Sequence, residues 1–129
     1  MSKALRIYIA GPYTAQDRNG PAANTKKAID AGIAVFLKGH YPYIPHLTHY
    51  VDLRARQIDR TLSWSDYMTW DLTWLNLCDG LLYLGKSRGA DVELEIATKL
   101  KKKLFFSLAE IPKIQRHKVK TLRFSSELK

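Results

Sequence analysis

Apolar positions along this chain alternate between short continuous runs and helical spacings. Residues 5 to 10, LRIYIA, are rich in β-branched residues and stop at Gly11-Pro12, which predicts a strand ending in a turn. A polar loop, TAQDRNGP, follows. From about residue 22 to residue 38 the positions Ala28, Ala31, Gly32, Val35 and Phe36 recur at helical spacing, with Gly39 placed as the C-terminal cap. YPYIP (41–45) reads as a short second strand interrupted by prolines, whereas HLTHYVDLRARQID (46–59) carries no pattern that assigns it. Ser63 with Asp66 three residues later forms a capping-box signature for a helix through about Leu77. GLLYLG (80–85) is a third strand, residues 90 to 101 a further helix and LFFSL (104–108) a fourth strand. Strands alternating with helices predict a single α/β domain over residues 1–112, built on a parallel, doubly wound sheet. Residues 113–129 form a basic tail suited to packing on a partner subunit.

Sheets of this kind bind ligands beyond the carboxyl ends of their strands. Here those ends carry GPYT (11–14), PHLTH (45–49) and GKSRGAD (85–91), which places the site on that edge. The two following helix patterns each contain one misplaced acid. A helix advances about 100° per residue. With Val92 at zero, Ile96, Leu100 and Ala97 fall at roughly 40°, 80° and 140°. Glu93 lies inside this stripe, at roughly 100°, while Glu95 points away at roughly 300°. Glu93 also sits in the expected first turn, where the helix dipole favours an ionised carboxylate. In WSDYMTWDLTWLNLC, the residues Trp64, Tyr67, Met68, Leu72, Trp74, Leu75 and Cys78 spread over one arc, and Asp71 falls at its centre. Burying an unpaired carboxylate costs several kcal/mol, roughly, so each acid needs a partner or a function. Tyr8 adds a third polar group, on the strand face opposite Ile7 and Ile9. Paired carboxylates suit glycosyl transfer, in which one meets an oxocarbenium-like anomeric carbon and the other handles the leaving group's proton. That chemistry requires no metal or redox cofactor.

Composition narrows the alternatives. The 129 residues fit one domain, with 46% hydrophobic and 26% charged residues. No apolar run approaches the ~20 residues that span a bilayer, and the short apolar stretch at the N-terminus is unlike a signal peptide, so a cytoplasmic location is expected. A single cysteine, Cys78, excludes an internal disulfide and fits a small core position. The net charge of +9 invites a nucleic-acid reading. Many of the cations, however, lie in residues 99–103 and 113–123 without interleaved aromatic residues, which argues against a polynucleotide partner. His46, His49 and Asp52 have spacing that could hold a metal, but hydrogen-bonded loop histidines fit it better. Trp64, Trp70 and Trp74 recur at spacing that suits core or subunit interface better than base stacking.

The order IYIAGPYT, then WDLTWLNLCDGLLYL, then S-x-G-x-x-x-E followed by LEIA resembles the nucleoside 2-deoxyribosyltransferase family and its nucleotide N-hydrolase relatives. The resemblance implies a flavodoxin-like (Rossmann-like) domain that cleaves the N-glycosidic bond of a 2′-deoxynucleoside or its 5′-phosphate. By position, Glu93 would be the nucleophile that forms a glycosyl ester, Asp71 the acid beside the departing base and Tyr8 the residue that orients the nucleophile. Ser87, with Gly89 and a helix N-terminus behind it, matches the phosphate-binding serine of the hydrolases, and Arg88 adds charge. Pro12, by contrast, stands after Gly11 where those hydrolases carry a phosphate-contacting serine. Tyr13 and His46 are candidates for contacting the base. The family further implies homo-oligomers with shared active sites, for which residues 123 to 126 could supply a partner's pocket.

Transfer of the deoxyribosyl group to another nucleobase is the leading expectation. Hydrolysis of nucleoside 5′-monophosphates is its nearest rival, and a nucleotide-binding module without turnover stands as a reading from another class.

Overall fold

The computed structural model describes residues 3–13 and 20–115. Strand β1 (Arg6–Ala10) leads to helix α1 (Gly20–Leu37), strand β2 (Tyr41–Tyr43) and a 3-10 turn over Pro45–Leu47. Helices α2 (Thr48–Gln57) and α3 (Trp64–Leu77) follow, then β3 (Gly80–Tyr83), α4 (Arg88–Lys99), β4 (Lys103–Phe105) and a 3-10 turn over Leu108–Glu110. The sheet order is β2-β1-β3-β4, with every pairing parallel. Because β2 and β3 flank β1 on opposite sides, the winding reverses at β1, the kind of switch point that opens a crevice.

The alternation within β1 divides the interior. Ile7 and Ile9 point to one face, where they meet Ala28, Ala31 and Val35 of α1, Leu82 of β3 and Ile111. Tyr8 and Ala10 point to the other face and join Leu81, Leu75 and Cys78, with Ala90 and Ala97 of α4. Helices therefore cover both faces, as a doubly wound α/β domain requires, and Cys78 takes its expected buried place.

The helix starts follow from local chemistry. Ser63 and Asp66 close the capping box that the sequence predicts, each side chain binding the other's backbone N–H. Gly39 ends α1 at φ 102°, a conformation that favours glycine, and its bare Cα lies against Ile114. Ile114 N–H donates to the Lys38 carbonyl at 2.8 Å, and Lys38 Nζ reaches the carbonyls of Leu108 and Ile111. Residues 111–114 thus pack back on their own chain. Residues 123–126, expected at a partner's pocket, and most of the polar loop after Tyr13 lie outside the described residues.

Phe36 departs from expectation. It is 42% exposed and meets Tyr41 edge to face, because α1 fills its buried stripe with the small residues Ala28, Ala31 and Gly32 and with Val35, which lets the helix sit close to the sheet. The unassigned stretch after Pro45 is helical as α2. Its only buried residue is Ala55, so an apolar stripe is absent from its sequence.

Candidate active site

Residues that close the sheet's carboxyl edge also position the acids. After β3, Ser87 takes an extended conformation and its Oγ accepts from Ala90 N–H at 3.0 Å, so α4 opens at Arg88. This is earlier than the sequence pattern suggests, and it makes Glu93 the sixth residue of α4. The dipole acts mainly within the first turn, so the expected support for an ionised Glu93 is weak. Glu93 lies on the buried stripe with Ala90 and Ala97 and is only 5% exposed. Its Oε2 accepts a hydrogen bond from Tyr8 OH. Asp71, 7% exposed, faces inward from α3, and its Oδ1 accepts from Tyr43 OH at 3.4 Å.

No lysine or arginine among the described residues pairs with either carboxylate. Burial without a counter-ion dominates their electrostatics. It pushes Glu93 up to about 8 against the opposing Tyr8 hydrogen bond, with the nearby Asp71 adding to the rise. It also pushes Asp71 up to about 7. The Tyr8 hydroxyl is raised well above its ordinary value by burial and by the adjacent Glu93, so it stays a donor. Behind the acids, Tyr8 stacks on Tyr43 and Tyr43 on Trp74, with ring centroids 5.5 Å and 5.9 Å apart.

Glu93 and Asp71 open into one cavity of about 330 Å³, within the range of small-molecule sites. Gly11, Tyr13, His46, Ser87, Arg88 and Gly89 line it too, so three loops and two helices converge as the strand order requires. Pro12 is not among the lining residues. Its carbonyl, like that of Gly11, lies about 3 Å from His46 Nε2, which must therefore carry a proton. Burial lowers the His46 pKa and keeps the ring neutral, which leaves Nδ1 as an acceptor with no partner in the described structure. Tyr13 OH pairs with His49 Nδ1 at 2.8 Å.

The sequence reading missed one wall of this cavity. Thr48, Asp52 and Arg56, spaced four apart on α2, all line it, as do Leu62, Tyr67 and Met68. Asp52 Oδ2 accepts from Arg56 Nε and Oδ1 from Tyr67 OH, each at 2.9 Å. Those bonds hold the Asp52 carboxyl below its ordinary range. Asp52, His49 and His46 therefore share no partner, and no metal-holding group of His, Cys, Asp and Glu occurs among the described residues. The four-residue spacing was the available signal, but it becomes legible only once the segment is known to be helical.

At the mouth, the Arg88 guanidinium lies 4.2 Å from the ring centroid of Trp64, so the first residues of α3 and α4 meet there. Trp64, Trp70 and Trp74 are all 42–46% exposed, which places them outside the core.

Residues 5–106 match a family described as Domain of unknown function (DUF4406), and the chain belongs to that family. No curated protein matches it. No helix among the described residues is long and apolar enough to cross a membrane.

Proposed function

We propose that this protein cleaves the N-glycosidic bond of 2′-deoxynucleosides or their 5′-phosphates and passes the deoxyribosyl group to another nucleobase, in cytoplasmic nucleotide salvage. The observation that carries this reading is the pair Glu93 and Asp71, which no cation among the described residues neutralises, buried at the floor of one cavity with Tyr8 OH on Glu93.

In the first step an oxygen of ionised Glu93 bonds to the anomeric carbon. The carbon–nitrogen bond breaks, its electron pair leaves with the base, and protonated Asp71 supplies the base's proton. In the second step a nitrogen of the incoming base attacks the same carbon, the ester bond to Glu93 breaks, and Asp71 takes the proton back. Asp71, pushed up to about 7, can hold the proton, but Glu93, pushed up to about 8, holds it more tightly, so the reactive arrangement is the minor form of the singly protonated pair. Tyr8, by donating to Glu93, favours the ionised nucleophile. No cofactor enters either step.

Water in place of the incoming base gives the rival reaction, hydrolysis. The 5′-monophosphate form of that rival is favoured by Arg88, which has no carboxylate partner among the described residues and lines the cavity with Ser87 and Gly89. A homo-oligomer belongs to the same proposal. Trp70, Trp74 and Leu77, spaced four and three apart on α3 and 42–50% exposed, offer an apolar stripe to a second copy.

Deoxyinosine and dIMP, each incubated with the protein with and without adenine and separated by chromatography, test the reading. A new adenine deoxynucleoside or deoxynucleotide is expected. Free hypoxanthine under both conditions would leave hydrolysis as the function. No reaction, repeated with pyrimidine and ribose donors, would leave a binding module.

A further inference from the structure

The α2 wall is the part of the cavity that the proposed chemistry does not use. It presents a fixed pair of opposite hydrogen-bonding character. Asp52, with its side chain 17% exposed, is held ionised by Arg56 and Tyr67 and can only accept. Arg56 spends Nε on Asp52, and its two terminal nitrogens, which can only donate, have no partner among the described residues.

The position of this pair follows from α3. Tyr67, which grips Asp52, precedes Asp71 by four residues, about 6 Å along the helix axis. Met68, between Tyr67 and Asp71 in α3, supplies apolar surface to the cavity, as do Leu62 and Trp64 before it. A planar ring leaving the anomeric carbon beside Asp71 would lie across that apolar surface with its far edge at Asp52 and Arg56. Net charge separates this corner from the α4 corner. Asp52 neutralises Arg56, whereas Arg88 has no such counter-ion, so an anionic group is drawn to α4 and a neutral one fits α2.

We infer that Asp52 and Arg56 read the edge of the nucleobase and select oxo-bases, those presenting a lactam N–H beside a carbonyl. The N–H donates to Asp52, and the carbonyl oxygen, with two lone pairs, accepts from the Arg56 fork. Adenine carries the reverse order, an amino group where the oxo-base has its carbonyl and a lone pair where it has its N–H, so in the same pose it would set a donor against Arg56 and an acceptor against Asp52. This inference rests on the glycosidic reading of the floor.

The test is kcat and KM of wild type, Asp52→Asn and Arg56→Gln with deoxyinosine and deoxyadenosine, alongside calorimetric titration of both nucleosides into wild type and Glu93→Gln. Arg56 is 64% exposed along its side chain, so its substitution reports on the wall even where Asp52→Asn fails to fold. Wild type should prefer deoxyinosine. Each wall substitution should raise its KM about tenfold or more, and that of deoxyadenosine about threefold or less. Equal effects on both nucleosides, or none, would overturn the inference while leaving cleavage in place. A base-dependent change in binding without turnover in wild type would instead sink the glycosidic reading and keep the wall. Failure of either nucleoside to bind would end both.

Discussion

The cavity holds carboxylates in two opposite environments. At its floor, Glu93 and Asp71 are buried without a cationic partner among the described residues and pushed up to about 8 and about 7. On its α2 wall, Asp52 is fixed between Arg56 and Tyr67 and stays below its ordinary value. The same side-chain chemistry thus becomes a proton-exchanging group in one place and a permanent acceptor in the other. Desolvation decides the first and charge-assisted hydrogen bonding the second. A site that breaks and remakes a bond near neutral pH needs the first kind, and one that holds a ligand in register needs the second.

Removing the floor should have the largest effect. Glu93→Ala should lower turnover by about a thousandfold or more while the far-ultraviolet circular dichroism stays that of wild type. Activity within tenfold of wild type would exclude Glu93 as nucleophile. Tyr8→Phe comes next, with an expected loss of about tenfold to a hundredfold in kcat/KM. Because the Tyr8 hydrogen bond lowers the Glu93 pKa, its removal should also move the limb assigned to Glu93 upward in pH. An unchanged pH profile would show that Tyr8 has no electrostatic hold on the acid.

The pH profile itself sharpens the contrast. Glu93 and Asp71 titrate as a coupled pair, so kcat/KM should be bell-shaped with apparent values near 7 and near 8. Asp71→Asn should remove one limb. Asp52→Asn should leave both limbs in place, and measured profiles that shift in this variant would erase the distinction between floor and wall.

Stability carries the same difference and includes the smallest expected effect. The folded state holds the Glu93 proton to about 8 against an ordinary 4.5, so its contribution is fully present below about pH 4.5 and is lost as pH rises to about 8. Glu93→Gln escapes that loss, and its advantage over wild type in urea denaturation should grow across this window to the order of 5 kcal/mol. Asp52 has the opposite sign. Its pairing stabilises above its ordinary value of 3.8 and is lost as pH falls below it, by about 0.5 kcal/mol or less given the exposed Arg56.

Much of this was legible in the sequence because burial leaves a periodic trace. The alternation of Ile7, Tyr8 and Ile9 located both faces of β1, and helical spacing put Glu93 and Asp71 on buried stripes before any coordinates. The α2 wall left no such trace. Its cavity-facing residues are Thr48, Asp52 and Arg56, and a helix that turns polar groups to a site and buries only Ala55 looks like a loop. The start of α4 was misjudged for a different reason: Ser87 caps the helix at Arg88, before the apolar pattern begins, and that shift moved Glu93 beyond the reach of the dipole. The tryptophans of α3 show the converse limit, since a large apolar residue at helical spacing can face outward as well as inward.

The family match ends at residue 106, yet the folded unit does not. Ile111 is fully enclosed against Ile7, Ile9 and α1, and His40, itself buried, bridges Leu5 N–H at the start of the first strand to the Pro112 carbonyl. The stretch from 107 to 114 is therefore a clasp that fastens the sheet's first strand and first helix from below. A chain trimmed to the family boundary would lose that clasp and expose an apolar seam on the side of the sheet remote from the acids, with aggregation the expected result.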